Sequence, residues 1–382
     1  MKKIIVVGAG ILGSSAAYHL TKYAAAGEVE VTLVDARHPG RATDAAAGII
    51  CPWLSQRRNQ TWYRLAKAGA RYYPQLTEML HKDGESETSY ARVGAINLHT
   101  DAGKIEQMRE RAEKRKADAP EIGDIEVLEE EQVRALFPLL GEGYRAVRVS
   151  GAARVDGAAL RDAMVAAAVR SGAILHEGEA VLLSENGRVT GVTVDGETLR
   201  GDEVILCAGA WAGKLLEPLG LNFRVTYQKG QILHLQSPDR PDSGTWPVVI
   251  PPTDQYLLAF DNGKMVAGAT HENGVERSDI RVTAGGVHEV LSKGLELAPG
   301  LADCELEEVR VGFRPFTPGF LPVIGRVPGW KGLIAANGLG ASGLTMGPFL
   351  GSQLAKLALG QEPDVPLEDY HLSDAITKSL IT

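Results

Sequence analysis

A chain of 382 residues with 44% hydrophobic and 23% charged residues has ordinary globular composition, and its length suits two or three structural units. Its 40 Lys+Arg against 48 Asp+Glu give a net charge of −8, which speaks against the basic surplus of a nucleic-acid binder. The anomaly is glycine: 44 residues, where average usage gives roughly 27, with no collagen-like period. The three cysteines, Cys51, Cys207 and Cys304, are widely spaced and lack a CxxC. They form neither a disulfide framework nor a metal site, so a cytoplasmic setting is expected. The apolar run after Lys2 and Lys3 is short and broken by glycine, unlike a signal peptide, and no stretch approaches a membrane span.

Lys3 to Val7 reads as a buried parallel strand. Gly8, Gly10 and Gly13 follow as GxGxxG, with Ile11 and Leu12 between them, and a helix-compatible stretch comes next. A second strand, Val29 to Val34, ends in Asp35 and Ala36. Strand, glycine turn, helix, strand and acid together form a dinucleotide site. Gly8 permits the turn, Gly10 lets the main chain approach a diphosphate, and Gly13 lets helix and strand pack closely. The helix N-terminus offers its N–H groups, and Asp35 suits ribose hydroxyls. That acid favours FAD or NAD over NADP.

Arg41 to Ile50, with Ala42, Thr43, Ala46, Ala47, Gly48 and Ile49, is a run of small residues. It suits backbone lying against a flat ligand, with Thr43 near a phosphate, or the first turn of a helix. Trp53, Arg57 and Arg58 belong to a pocket mouth or to a solvated loop. The charged stretch Lys104 to Lys116 reads as a solvated helix. Asp156 to Ser171 reads as a helix, followed by strands over Ala173–Leu183, Val189–Val194 and Val204–Cys207. From about 219 to 310 apolar residues alternate, as in Gln231–Leu235 and Tyr256–Phe260, and predict antiparallel strands. Ile334 to Ala336 is a short strand, the glycines from 338 to 343 a turn, and Thr345 to Leu359 a helix.

Four blocks carry a family resemblance. They are Thr43–Ile49; Val204–Trp211, which includes Ala208 and Gly209; Gly312–Pro318 with Leu321–Gly325; and Gly332–Thr345. In this order, over nearly the whole chain, they resemble the D-amino-acid oxidase family of flavoproteins, glycine oxidase in particular. The resemblance implies an α/β (α+β overall) fold, a Rossmann-like FAD-binding domain interleaved with an antiparallel-sheet substrate domain. Residues 1–85, 149–218 and 311–382 would form the first, and 86–148 and 219–310 the second. Val181 would meet the adenine. The loop Gly338, Leu339, Gly340, Ala341, Ser342, Gly343, Leu344 and Thr345 would face the pyrimidine edge of the flavin, where a helix dipole stabilises negative charge.

The implied reaction is oxidation of an amine α to a carboxylate: a hydride passes to flavin N5 and the imine is hydrolysed. Arg314 stands where the family grips the substrate carboxylate, and a structural ion pair is its alternative role. No cysteine occupies that block, so FAD is expected to be noncovalent. Three departures put glycine itself in doubt as substrate. Thr317-Pro318-Gly319 lacks the family's acid. Val248–Pro251 occupies the stretch of the family's substrate-side tyrosine, with Tyr256 beyond it. His271 replaces a methionine, and it touches substrate, tunes the flavin, or is a surface histidine. Expected partners are a small-molecule amine and O2 or another electron acceptor. A dehydrogenase feeding a quinone or carrier protein, and a noncatalytic flavin subunit, stay open, as does the oligomeric state, a homo-oligomer included.

Overall fold

The computed structural model describes residues 1–378, so the end of the 311–382 segment, residues 379–382, lies outside the described residues. One six-stranded sheet has the order Val323–Arg326, Leu333–Asn337, Glu203–Leu206, Lys2–Val7, Val29–Asp35, Ile174–Glu177. Lys2–Val7 lies inside it, parallel to both neighbours. Ile4, Ile5, Val6 and Val7 are all buried, which is why this strand reads as an unbroken apolar run. Only Val323–Arg326 runs antiparallel. The strand expected over 173–183 is divided. Gly178, at φ +142°, turns the chain between Ile174–Glu177, which joins this sheet, and Ala180–Glu185, which joins a three-stranded one.

Two helices, Ile11–Tyr23 and Gly343–Leu359, pack closely and run parallel, because Gly347 faces Ile11 and Gly351 faces Ser15. A Cβ on Gly351 would sit 2.4 Å from that of Ser15. Ser15 Oγ donates to the Pro348 carbonyl at 2.6 Å. Both helix N-termini therefore open toward the same side of the sheet. Pro348 has no N–H for the carbonyl of Leu344 one turn earlier. Tyr73, from the helix Gln60–Lys82, supplies the missing donor: its hydroxyl reaches Leu344 O at 2.5 Å. Tyr73→Phe should leave that buried carbonyl unpaired and lower stability by about 1–3 kcal/mol, read as a shift of the urea midpoint.

A second, eight-stranded sheet has the order Glu305–Phe316, Thr226–Gln236, Lys264–Gly268, Tyr256–Ala259, Val248–Ile250, Ala95–His99, Arg145–Val149, Ile125–Leu128. Its pairs are antiparallel except Val248–Ile250 with Ala95–His99. The alternating stretches form these strands as expected, but the helix Ala284–Leu297, capped by Thr283, interrupts them. Its buried Val290 and Leu297 join the sheet's apolar core. The helix Ala102–Lys116, capped by Asp101, packs over the Ala95–His99 end of the sheet.

Candidate active site

A cavity of about 1060 Å3 is lined by residues of both sheets and of the two parallel helix N-termini. At the first turn Gly8 adopts φ +99°, and a Cβ there would lie 2.6 Å from the Cys207 carbonyl oxygen. Gly10 forms the N-cap with no side-chain cap bond, and it lines the cavity with Ile11 and Leu12. Gly13 does not line it. A Cβ there would fall 1.8 Å from Gly8 O, so Gly13 stands behind the turn and lets helix and strand meet. Thr43 Oγ1 accepts the Ile11 N–H at 2.9 Å and keeps its own proton to donate. At the end of the second strand, Asp35 accepts from the Ala9 N–H at 3.3 Å and pairs with Arg41 at 2.6 Å.

The alanine segment is a turn followed by the short strand Ile49–Ile50, not a helix. It lies on the strand Glu305–Phe316, where a Cβ on Gly312 would sit 2.8 Å from Ala45 Cβ. Ala36, Ala42, Ala46, Ala47, Gly48 and Ile49 all line the cavity. From the middle of the chain come Val181, Ala208, Gly209 and Trp211, the last stacked on His38 with centroids 5.0 Å apart. The closing loop contributes Leu339, Gly340, Ala341, Ser342, Gly343, Leu344 and Thr345. Gly338 does not reach this cavity. At φ +82° it turns beneath Thr317, whose Oγ1 would be 1.8 Å from an added Cβ. The helix begins at Gly343, two residues before the expected start. A helix N-terminus whose N-cap residue Gly10 supplies no side chain, glycines clearing its approach and an acid at the next strand end fit an adenine dinucleotide bearing a diphosphate.

At the opposite wall stands Arg314, half-buried. Its Nη1 donates to Gln228 Oε1 and to the Thr270 carbonyl, both at 3.2 Å, and no carboxylate pairs with it among the described residues. Tyr256 meets the same guanidinium. Burial pushes the Tyr256 hydroxyl up, while Arg314 pulls it down in part. Strand glycines make room for this pair. A Cβ on Gly230 would lie 2.7 Å from the Arg314 guanidinium, and one on Gly268 would lie 2.6 Å from Tyr256 Oη. His271 also lines the cavity, its Nδ1 3.8 Å from Asp254. Desolvation first, then the Arg314 charge, holds its pKa below the ordinary histidine value. Gly230→Ala should push Arg314 off its rotamer and raise KM about tenfold without changing the flavin spectrum. Steady-state kinetics beside an absorbance scan check this.

Several positions around the cavity carry no site assignment in the sequence reading. Tyr256 lies beyond the stretch Val248–Pro251 in which the family's substrate-side tyrosine is expected. Gly230, Gly268 and Gly312 show only the signal of an isolated glycine inside a strand, which marks a close approach. The helix Ala102–Lys116 is not solvated all round: Lys104, Gln107, Met108 and Arg111 line the cavity. Trp53 is a buried core residue rather than part of a solvated loop. Arg57 stacks 5.0 Å from the Trp62 ring at a separate pocket of about 350 Å3, and Arg58 is exposed. Among the described residues no helix is long and apolar enough to cross a membrane.

The chain is similar to known oxidoreductases. An oxidoreductase of Bacillus subtilis (strain 168), YurR, is 60% identical over 376 residues, 98% of this chain and all of the relative. Glycine oxidase of Pseudomonas aeruginosa is 32% identical, covering 97% of this chain and 98% of its own length. The crystal structure of iminodiacetate oxidase from Chelativorans sp. BNC1 superposes with a TM-score of 0.92 at 45% identity, over 96% of this chain and 98% of that one. The model of the family "DAO: FAD dependent oxidoreductase" matches residues 3–357. The chain therefore belongs to the FAD-dependent oxidoreductases of the DAO family and is an FAD-dependent amine or amino-acid oxidoreductase.

Proposed function

We propose that the protein oxidises a small amino acid or secondary amine that carries a carboxylate, with FAD held noncovalently and O2 or another acceptor taking the electrons. The observation that carries this reading is Arg314, a half-buried guanidinium in the cavity with neutral partners only. Its fork is free to take both oxygens of a substrate carboxylate. Similarity to glycine oxidase and iminodiacetate oxidase supports the amine class.

Bound FAD supplies the hydride acceptor. The chain's own part is to bind, orient and desolvate. Gly10, Thr43 and Asp35 would hold the diphosphate and ribose, and Gly343 to Thr345 would place a helix N-terminus against the flavin edge. Arg314 anchors the carboxylate so that the adjacent carbon faces the flavin, with Tyr256 steadying the guanidinium. The amine must be neutral when the hydride leaves. The Arg314 guanidinium in the same cavity disfavours a second positive charge on the amine, and His271, its pKa held below the ordinary histidine value by desolvation and then by Arg314, would accept that proton. The imine then leaves for hydrolysis.

Noncovalent binding is supported by the thiols. Cys51 lines the cavity, but burial pushes its thiol up to about 12, and Cys207 is likewise pushed up. Neither is a thiolate at neutral pH. All three cysteines are unpaired, in keeping with a reducing, cytoplasmic setting. Acid precipitation should leave colourless protein and yellow supernatant. The deciding experiment is an anaerobic screen of glycine, sarcosine, iminodiacetate, D-amino acids and cyclic imino acids. Bleaching of the flavin band by one of them is expected, and bleaching by none overturns the reading. Recovery in air marks an oxidase, and recovery only with a quinone or carrier marks a dehydrogenase.

A further inference from the structure

The chain around His271 is fixed on both sides. The Thr270 carbonyl accepts from Arg314 at 3.2 Å, and Thr270 Oγ1 accepts from the Gln231 N–H at 2.9 Å. Glu272 exchanges two backbone hydrogen bonds with Lys229, both at 2.9 Å. His271 therefore stands at a set position beside the Arg314 guanidinium.

Asp254 approaches it from the loop Pro251–Gln255, which lines the cavity through Pro251, Pro252, Thr253 and Asp254. Gln255 Nε2 donates to the Ala269 carbonyl and to Asp254 Oδ1, both at 3.2 Å, and so ties the carboxylate to the segment that bears His271. Asp254 Oδ2 then lies 3.8 Å from His271 Nδ1, and the two side chains are 47% and 42% exposed, open enough for both to titrate. From the helix Ala284–Leu297, Lys293 donates to both Asp254 oxygens at 3.1 Å and to Glu289 Oε1 at 2.9 Å.

The charged groups that bear on His271 are Arg314 and Lys293, both positive, and Asp254 and Glu289, both negative. A separation of 3.8 Å is too long for a hydrogen bond, so the neutral ring leaves Asp254 to Lys293. A protonated ring would attract the same carboxylate, which then has a cation on each side. The carboxylate only accepts, so the nitrogen facing it, Nδ1, is the one that carries the hydrogen in the neutral ring. Nε2 keeps its lone pair.

We propose that Asp254 and Lys293 are positioning residues that set the charge state of His271 by competition: the carboxylate favours the imidazolium, and Lys293, by engaging that carboxylate, keeps the ring neutral until it takes the proton of the substrate ammonium. In that step the substrate N–H bond breaks, its electron pair stays on the amine nitrogen, and the proton adds to His271 Nε2. This deepens the reading under Proposed function and rests on it.

The test reads the His271 ring directly, by NMR of the flavin-loaded enzyme carrying 13C-labelled histidine, with His271→Gln identifying its signal. Asp254→Asn should lower the titration midpoint of that signal by about 0.5–1 pH unit. Lys293→Gln, which keeps a donor for Asp254 but removes the charge, should raise it by a similar amount. The acid limb of kcat/KM, measured with the amine that bleaches the flavin, should move to lower pH in the first variant and to higher pH in the second. A merely structural role would not send the two variants in opposite directions. A midpoint that fails to fall in Asp254→Asn, or fails to rise in Lys293→Gln, overturns the proposal. If Asp254→Asn does not fold, the direction of the Lys293→Gln shift decides alone. Midpoints that move as expected beside an unmoved acid limb leave this control of charge standing and overturn the role given to His271 under Proposed function.

Discussion

Arg314→Lys is expected to lower kcat/KM for any carboxylate-bearing amine by about 30- to 1000-fold, equivalent to about 2–4 kcal/mol. The guanidinium offers two parallel donors from a plane, and a lysine ammonium offers a point charge that cannot match both carboxylate oxygens. It would also lose the bonds that fix the side chain, to Gln228 and to the Thr270 carbonyl. The flavin spectrum should be unaltered, because Arg314 sits on the wall formed by the strand Glu305–Phe316 and not at either helix N-terminus. Most of the loss should appear in KM if the carboxylate is gripped equally in ground and transition states. Unchanged kinetics would return Arg314 to a structural role.

Stability should fall as pH drops from about 6.5 to about 4, and His19 should supply a large part of the slope. Burial holds the pKa of His19 down at about 4, against an ordinary 6.5. Nδ1 lies 2.7 Å from the Ser15 carbonyl oxygen, which only accepts, so Nδ1 carries the hydrogen. Nε2 then accepts from the Tyr72 hydroxyl. Ser15 Oγ continues the chain to the Pro348 carbonyl, so one neutral network joins three helices. Above pH 6.5 His19 is neutral in both folded and unfolded chains and adds no pH dependence. Between 6.5 and 4 the unfolded chain takes up a proton that the folded one refuses, so unfolding is favoured as pH falls. Across the whole window this amounts to about 3 kcal/mol. Urea midpoints measured from pH 7 to pH 4 check it. His19→Gln should start less stable at pH 7 yet show a shallower decline, and an equally steep decline would place the effect elsewhere.

The dinucleotide turn was readable because its parts are neighbours in sequence and each has a local job. Gly8, Gly10 and Asp35 stand where that logic puts them, and even Gly13, which never meets the cavity, does the packing assigned to it. The strand glycines were harder to read, because Gly230, Gly268 and Gly312 are explained by Arg314, Tyr256 and Ala45, which are partners across strands or across the chain. A charged helix looks the same in sequence whether its polar stripe meets bulk water or a wet cavity, and so the face carrying Arg111 was read as solvated. The helix Ala284–Leu297 carries two glycines, Gly285 and Gly286, in its first turn and lies hidden among alternating strands. Gly338 misled for the opposite reason: it belongs to the flavin-facing loop by position but serves the turn beneath Thr317.

The cavity draws on residues from Val7 to Thr345, with the two parallel helices that frame it coming from opposite ends of the chain. Synthesis proceeds from the N-terminus, so the glycine turn leaves the ribosome long before Leu339 to Thr345 exist. A nascent chain therefore carries half a nucleotide site that nothing closes, and flavin loading becomes a post-translational event. Loss of flavin from the finished protein would remove ligand contacts from its earliest-made and latest-made segments together, leaving them joined by the direct packing of the two helices, so bound flavin adds to stability by mass action.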